Sequence, residues 1–186
     1  MKIAISGTHC VGKSTLIDAF LMGHPDFTHE PEPYEALQEE YGESFAADPS
    51  AEDFQRQLEY NVRRIGEYAP SELVIFERCP ADYLAYIFAL DELGRDRVAS
   101  GVLKGSLEMA REAIHHLDVI VFLPANGANI DLSETEDLEL RNSVDARLES
   151  ILLADELRLF NSSQPLVLEA SGNTRQRLQT LEAALG

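Results

Sequence analysis

The sequence predicts an α/β fold of three layers, with helices on both faces of a central parallel sheet of five strands. Short apolar runs alternate with longer stretches of helical periodicity, the pattern of a parallel sheet joined by helical crossovers. Three runs read as strands buried on both faces: ELVIFER (72–78), DVIVFLP (118–124) and PLVLEA (165–170). The length of 186 residues suits one well-formed core, so we expect a single domain over 1–186.

The first half of the chain begins with a strand, a loop and a helix. Residues 2–6 (KIAIS) are a short β-type run that ends at Gly7, and STLIDAFL (14–21) then has the apolar periodicity of a helix. A short strand is expected near DFTHE (26–30). In the following EPEPYEAL, two prolines exclude regular pairing in a sheet.

A strong helix start follows at Ser50, because Asp53 lies three residues later as in a capping box. This helix is expected to end near Gly66 and Pro70. Further helices are predicted, in chain order, over 81–94, 102–117, a long segment near 134–160, and 174–185. The loop 126–134 is expected to be the most mobile segment.

The charge balance restricts the partners. Fifteen Lys and Arg against 33 Asp and Glu give a net charge of −18, which repels nucleic-acid polymers and anionic membranes. No apolar run approaches the roughly 20 residues of a membrane span. Lys2 is followed directly by a strand-like run rather than a secretory apolar region, so we expect a cytoplasmic protein. A small anion can still bind where cations are concentrated.

The stretch GTHCVGKS (7–14) matches the pattern G-x-x-x-x-G-K-[ST] at every fixed position, and it lies between a predicted strand and a predicted helix. In such a loop, backbone N–H groups and the helix dipole form a cage for a polyphosphate. Lys13 is expected to reach the outer phosphates, and the Ser14 hydroxyl to bind Mg²⁺. The motif therefore predicts ATP and Mg²⁺ as ligands. The candidate ATP-binding residues of the loop are Gly7, Thr8, His9, Cys10, Val11, Gly12, Lys13, Ser14 and Thr15.

The motif alone does not decide between a kinase, a GTPase and an ATPase. The guanine-reading pattern N-K-x-D is absent from the sequence. The strand LVIF ends in Glu77-Arg78 rather than in the Asp-Glu pair of mechanical ATPases. Glu77 is a candidate for the Mg²⁺ water shell, and Arg78 for a contact with the phosphates being exchanged.

At this point the chain resembles the P-loop kinases of the deoxynucleoside kinase and thymidylate kinase group, and more loosely the small ATP-binding proteins related to nicotinamide riboside kinases. The likeness lies in GTHCVGKST, PEPYEAL (31–37), FQRQLEYNVRRI (54–65) and FERCPADYLAY (76–86). It implies a P-loop NTPase fold with strand order 2-3-1-4-5. It also implies transfer of the terminal phosphoryl group of Mg-ATP to a nucleoside or nucleotide-like small molecule, and it leaves a homodimer open.

The same resemblance implies roles for individual residues near the acceptor. A glutamate just after the second strand is the general base of the family, a position similar to that of Glu32, with Glu30 as the other candidate. Phe54-Gln55 resembles the aromatic-glutamine pair that reads the nucleobase, although Gln55 can also be a solvated helix position. The candidate aromatic residues of the acceptor pocket are Tyr34 and Tyr86.

Further residues correspond to the lid and the adenine loop. A lid region is expected over about 126–150, with Arg141 and Arg147 neutralising the transferred phosphoryl group, unless both pair with glutamates of an exposed helix. Gly172, in EASGNT (169–174), is expected to lie against the adenine. Cys10 departs from the pattern, since related kinases often have glycine there.

Two other functions stay open on the sequence. The protein can be an ATP-binding or ATP-hydrolysing regulatory module with no small-molecule acceptor, or a nucleotide-binding protein without catalysis. A base and lid arginines favour a small-molecule acceptor, whereas a switch does not need Glu32. The identity of the acceptor is not encoded in any motif that we find.

Overall fold

The computed structural model describes residues 1–42, 49–125, 137–160 and 165–186. Strands and helices alternate along the chain, as expected from the apolar pattern. The strands are β1 (Lys2–Ser6), β2 (Thr28–Glu30), β3 (Val74–Glu77), β4 (Val119–Phe122) and β5 (Leu166–Glu169). The helices are α1 (Lys13–Gly23), α2 (Pro33–Tyr41), α3 (Ala51–Glu67), α4 (Pro80–Glu92), α5 (Ser100–Ile114), α6 (Leu138–Leu152) and α7 (Thr174–Leu185).

The five strands form one parallel sheet in the order β2-β3-β1-β4-β5, which confirms the predicted topology. In the centre, Ile3 of β1 is in register with Ile75 of β3 and Val119 of β4. All carboxyl ends therefore lie at one edge of the sheet. From β1 the chain crosses to β2 on one side of the sheet, whereas β4 and β5 lie on the other side of β1. Parallel α/β sheets bind ligands at such a change in the direction of the strand order.

The core has two halves because side chains alternate between the faces of each strand. One half lies between the sheet and helices α3 to α6, with Leu58, Phe76 and Phe122 fully or almost fully buried. The other half lies against α1 and α7, with Phe20 and Leu181 buried. Both faces of the central strands are covered, which explains why their middle residues are apolar.

Helix α3 begins as predicted, since Ser50 and Asp53 form a reciprocal capping box. Helix α2 was not predicted, because the prolines of EPEPYEAL indicated only an absence of strand pairing. Pro33 occupies the first turn of α2, where its missing N–H has no helical partner to lose. Helix α6 is shorter than the predicted 134–160 segment, and its N-cap is Asp137.

The loop 126–134 and the first part of the predicted lid, residues 126–136, lie outside the described residues. Among the helices that the structure describes, none combines the length and apolar character needed to cross a membrane.

Candidate active site

The loop between β1 and α1 has the backbone of a phosphate cradle. Gly7 and Gly12 have φ angles of 149° and 90°, which residues other than glycine rarely adopt. A Cβ atom on Gly7 would lie 2.7 Å from the carbonyl oxygen of Leu123, so the loop also needs glycine for space. Cys10 has φ 57°, a left-handed conformation that glycine adopts more readily than cysteine.

The lysine of the loop is buried against the sheet. Lys13 is 4% exposed, and its Nζ donates to the Thr8 carbonyl oxygen at 3.2 Å and lies 3.8 Å from Glu77 Oε1. Burial, together with the nearby Arg78 charge, lowers the pKa of Lys13 below its ordinary value, while the nearby carboxylates act in the opposite direction. Lys13 is thus held at the base of the cradle.

Ser14 and Glu77, which the sequence suggests as Mg²⁺ residues, lie next to each other. The Ser14 hydroxyl donates to Glu77 Oε1 at 3.0 Å. A hydroxyl and a carboxylate are the oxygen ligands that Mg²⁺ prefers, so the pair fits an ion delivered with a polyphosphate. Within the described ranges, no cluster of three or more His, Cys, Asp or Glu side chains is arranged to hold a metal ion by itself.

Arg78 connects the loop to Glu32. It is 3% exposed and forms an ion pair with Glu32, while its Nη1 donates to the Gly7 carbonyl oxygen at 3.0 Å. Burial by itself would raise the pKa of Glu32, but the Arg78 and Lys13 charges outweigh it, so the pKa of Glu32 lies below its usual value. Glu32 is therefore ionised at neutral pH.

Asp82 completes this network, and sequence reasoning missed it. Its carboxylate accepts from the backbone N–H groups of Gly7 at 3.0 Å and Cys79 at 2.9 Å, and it lies 3.4 Å from Arg78 Nη1. The side chain is fully buried. Cys79-x-x-Asp82 is a capping box with cysteine in place of serine, and this spacing was the signal available in the sequence.

The structure separates the two candidate bases. Glu30 accepts from Arg64 at 2.7 and 2.8 Å and from the Tyr68 hydroxyl at 2.6 Å, so both of its oxygens are engaged in a network with α3 and the segment after it. Glu32 lies two residues further on, beside Arg78 and next to a cavity. Of the two carboxylates, Glu32 is the one placed at the site.

The cavity beside Glu32 has a volume of about 390 Å³ and an aromatic wall. Phe54 and Tyr86 stack with their ring centroids 4.4 Å apart, and the Arg78 guanidinium lies 5.4 Å from the Tyr86 centroid. Tyr34, a candidate acceptor residue from the sequence, also lines the cavity. Tyr83 lines it too, and within the described part of the chain its buried hydroxyl has no hydrogen-bond partner.

The glutamine prediction needs a correction. Gln55 is half-buried, donates to Glu59 Oε1 at 3.1 Å and lines a different cavity, next to Asp96. Gln57 is buried and lines the cavity with Phe54. Residues three apart share a helix face, whereas adjacent residues point about 100° apart, so Gln57 rather than Gln55 accompanies Phe54.

The two predicted lid arginines contact different parts of the protein. Arg141 is buried, and its Nε donates to the His9 carbonyl oxygen of the loop at 3.4 Å. Arg147 instead forms ion pairs with Glu92 at the end of α4 and with Glu156. Positions six apart on an α-helix differ by about 240° in direction, so one face of α6 cannot carry both side chains to the loop.

At the far side of the loop, Gly172 precedes α7, whose N-cap is Asn173. Gly172 has φ 91°, and it lies just beyond β5 at the carboxyl edge of the sheet. Arg177 of α7 was missed by the sequence reasoning. It is 6% exposed, and its Nη1 donates to the Val11 carbonyl oxygen at 2.5 Å. No motif in the sequence marks this residue.

The fold and the loop together define a P-loop protein. The chain matches the family model described as "AAA domain" over residues 2–175, and it belongs to that family. No match is found among the curated proteins.

Solved structures share the fold at low identity. A deoxyadenosine kinase from M. mycoides superposes with a TM-score of 0.65 at 15% identity, covering 100% of this chain and 98% of that chain. The thymidylate kinase of Ehrlichia chaffeensis superposes with a TM-score of 0.64 at 13% identity, covering 100% of this chain and 98% of that chain. The thymidylate kinase of Candida albicans superposes with a TM-score of 0.63 at 15% identity, covering 99% of this chain and 90% of that chain.

Proposed function

We propose that this protein is an ATP-dependent kinase that transfers the terminal phosphoryl group of Mg-ATP to a hydroxyl of a nucleoside-like small molecule. One observation supports this most strongly. An ionised glutamate, Glu32, is paired with the buried Arg78 between the phosphate loop and an aromatic cavity of about 390 Å³. A protein that only binds or hydrolyses ATP does not need this second compartment.

On the nucleotide side, the residues of the loop bind the triphosphate. The amides of 7–14 and the start of α1 surround the phosphates, and Lys13 neutralises charge on the outer ones. Ser14 and Glu77 would hold Mg²⁺. Bound there, Mg²⁺ would supply positive charge that offsets the negative charge of the triphosphate.

On the acceptor side, Glu32 acts as the general base. The acceptor oxygen forms a bond to the terminal phosphorus while the bond from that phosphorus to the bridging oxygen of ADP breaks, and the hydroxyl proton passes to Glu32. The low pKa of Glu32 keeps it ionised and able to accept this hydrogen bond. Phe54 and Tyr86 form an apolar wall for a planar base, and the Gln57 amide can donate to and accept from a base edge.

In this proposal, two arginines stabilise charge on the transferred group. Arg78 contacts both the loop, at the Gly7 carbonyl, and Glu32. Arg141 reaches the loop at the His9 carbonyl from α6. Fixed cations of this kind lower the barrier because they need no reorganisation during the reaction.

The solved structures of similar fold are compatible with this acceptor class. The M. mycoides deoxyadenosine kinase was solved with dCMP and dCDP as products, and also with dATP. Those ligands belong to that protein, and at 15% identity they support the kind of acceptor rather than its identity.

The test is ATP consumption measured with and without a panel of nucleosides and nucleoside monophosphates, for the native protein, Lys13→Ala and Lys104→Ala. Lys104 is the matched control because its side chain is exposed on α5. We expect turnover that rises with one acceptor, disappears in Lys13→Ala and persists in Lys104→Ala. Hydrolysis that is indifferent to every acceptor would favour the regulatory module instead.

A further inference from the structure

Arg177 lies against the outer side of the phosphate loop. Its Nη1 donates to the Val11 carbonyl oxygen at 2.5 Å, and a Cβ atom added to Gly12 would lie 3.3 Å from the same nitrogen. In a phosphate-binding loop the amide N–H groups face the anion, so the carbonyl groups face away from it. Arg177 therefore contacts the loop from behind.

The charge of Arg177 is not compensated within the described residues. The side chain is 6% exposed, and its Nε is buried without a hydrogen-bond partner there. Burial lowers the pKa of this guanidinium, and no neighbouring carboxylate in the described ranges offsets that effect. Buried cations are otherwise paired in proteins, because an unpaired buried charge is destabilising.

We propose that Arg177 is a positioning residue whose buried charge strengthens polyphosphate binding by acting through the Val11–Gly12 segment of the loop. This inference rests on the ATP site of the proposed function and not on the identity of the acceptor. A bound triphosphate supplies the negative charge that the empty protein lacks near Arg177. The hydrogen bond to Val11 polarises the adjoining peptide group, whose amide belongs to Gly12.

A purely structural role makes a different prediction. If Arg177 only joined α7 to the loop, its removal would lower the stability of the empty and the ATP-bound protein equally. The stabilisation produced by ATP would then be unchanged. If its charge assists binding, the ATP-induced increase in the melting temperature becomes smaller.

The experiment measures binding of Mg-ATP and of magnesium tripolyphosphate by calorimetry, and the ATP-induced shift in melting temperature, in four proteins. They are the native chain, Arg177→Met, Arg177→Lys and the control Arg175→Met. Arg175 is exposed on the same helix, so its replacement changes the net charge equally without touching the loop. If Arg177→Met does not fold, Arg177→Gln replaces it, because glutamine keeps a donor for the Val11 carbonyl.

We expect Arg177→Met to weaken both ligands by about tenfold, which corresponds to roughly 1.4 kcal/mol. Arg177→Lys, which retains the charge, and Arg175→Met should stay within about threefold of the native affinity. Equal affinity in Arg177→Met and the native protein would overturn the inference, as would a loss in Arg177→Lys as large as that in Arg177→Met. If the native protein bound no ATP at all, the proposed function itself would fail.

Discussion

At the scale of single residues, one buried guanidinium organises the centre of the site. Arg78 contacts Glu32, the Gly7 carbonyl and Asp82, and it does so from a left-handed backbone with φ 75°. Such a conformation is unfavourable for a long side chain and persists only where surrounding contacts compensate for it. The same ion pair that orients Glu32 also keeps it ionised.

The two glutamates near the end of β2 allow a direct test of the base. Glu32→Gln should lower kcat by about 10²- to 10⁴-fold, because the amide cannot accept the acceptor proton. Glu30→Gln should leave kcat within a few-fold but lower the stability, since it weakens the contacts with Arg64 and Tyr68. Steady-state kinetics and urea denaturation on both variants measure this. A large loss of kcat in Glu30→Gln alone would reverse the assignment.

The neighbouring glutamines of α3 form a second matched pair. Gln57→Ala should raise the acceptor KM by roughly tenfold or more, because a buried amide that reads the base is lost. Gln55→Ala removes a contact with Glu59 and a side chain that lies outside this cavity, so it should leave the acceptor KM nearly unchanged. Acceptor titrations at saturating ATP distinguish the two. Equal effects in both variants would contradict a base-reading role for Gln57.

At the scale of elements, the parallel register decides which loops meet. The ends of β1, β2 and β3 lie side by side, so the phosphate loop, Glu32 and Arg78 converge although they are distant in sequence. Helix α4 reinforces this convergence through Asp82, which binds the Gly7 amide and caps its own helix. Helix α6, which packs against α4 on the same face of the sheet, carries Arg141 to the loop.

Helix α6 offers a test of its two faces. Arg141→Met should reduce kcat/KM for ATP by about tenfold or more, since a cation next to the loop is lost. Arg147→Met should keep the kinetics and reduce stability by up to about 1 kcal/mol, because its ion pairs with Glu92 and Glu156 are partly exposed. Steady-state kinetics with varied ATP and thermal unfolding, measured on each variant, test these two expectations. Kinetic loss in Arg147→Met with native behaviour of Arg141→Met would return the lid role to Arg147.

At the scale of the whole molecule, the two halves of the core share one sheet. Ile75 packs with the α1 and α7 side, whereas its neighbours Val74 and Phe76 pack with the α3 to α6 side. Disruption of β3 would therefore expose both halves. This shared element is the physical reason to propose a single folding unit over 1–186.

A single folding unit predicts one unfolding transition. Scanning calorimetry should give one peak whose calorimetric and van't Hoff enthalpies agree. Mg-ATP should move the whole peak to higher temperature, because the loop it binds joins β1 to α1. Two resolved peaks, of which ATP shifts only one, would show two independent units.

Much of the fold could be predicted from sequence patterns, because these patterns reflect interactions between residues that are close in the chain. The apolar runs, the Ser50 capping box and the glycines of the loop each express a requirement of nearby backbone, so the strands, the order of elements and the phosphate cradle were predictable. The strand order came from the resemblance to known kinases, and the structure confirmed it. Helix α2 escaped notice because prolines that exclude a strand can also begin a helix.

By itself, the sequence determined that this chain forms a parallel α/β sheet with a phosphate-binding loop after its first strand, since both follow from contacts between residues close in the chain. Only the tertiary structure showed that Glu32 and Gln57 line the cavity beside Arg78, that Glu30 pairs with Arg64, and that Arg141 but not Arg147 reaches the loop. It also revealed Asp82 and Arg177 beside the loop. Each of these contacts depends on which face of its helix or strand a side chain occupies and on which distant segment packs against that face. Two residues of the same type that are close in sequence cannot be distinguished in this respect from the sequence alone.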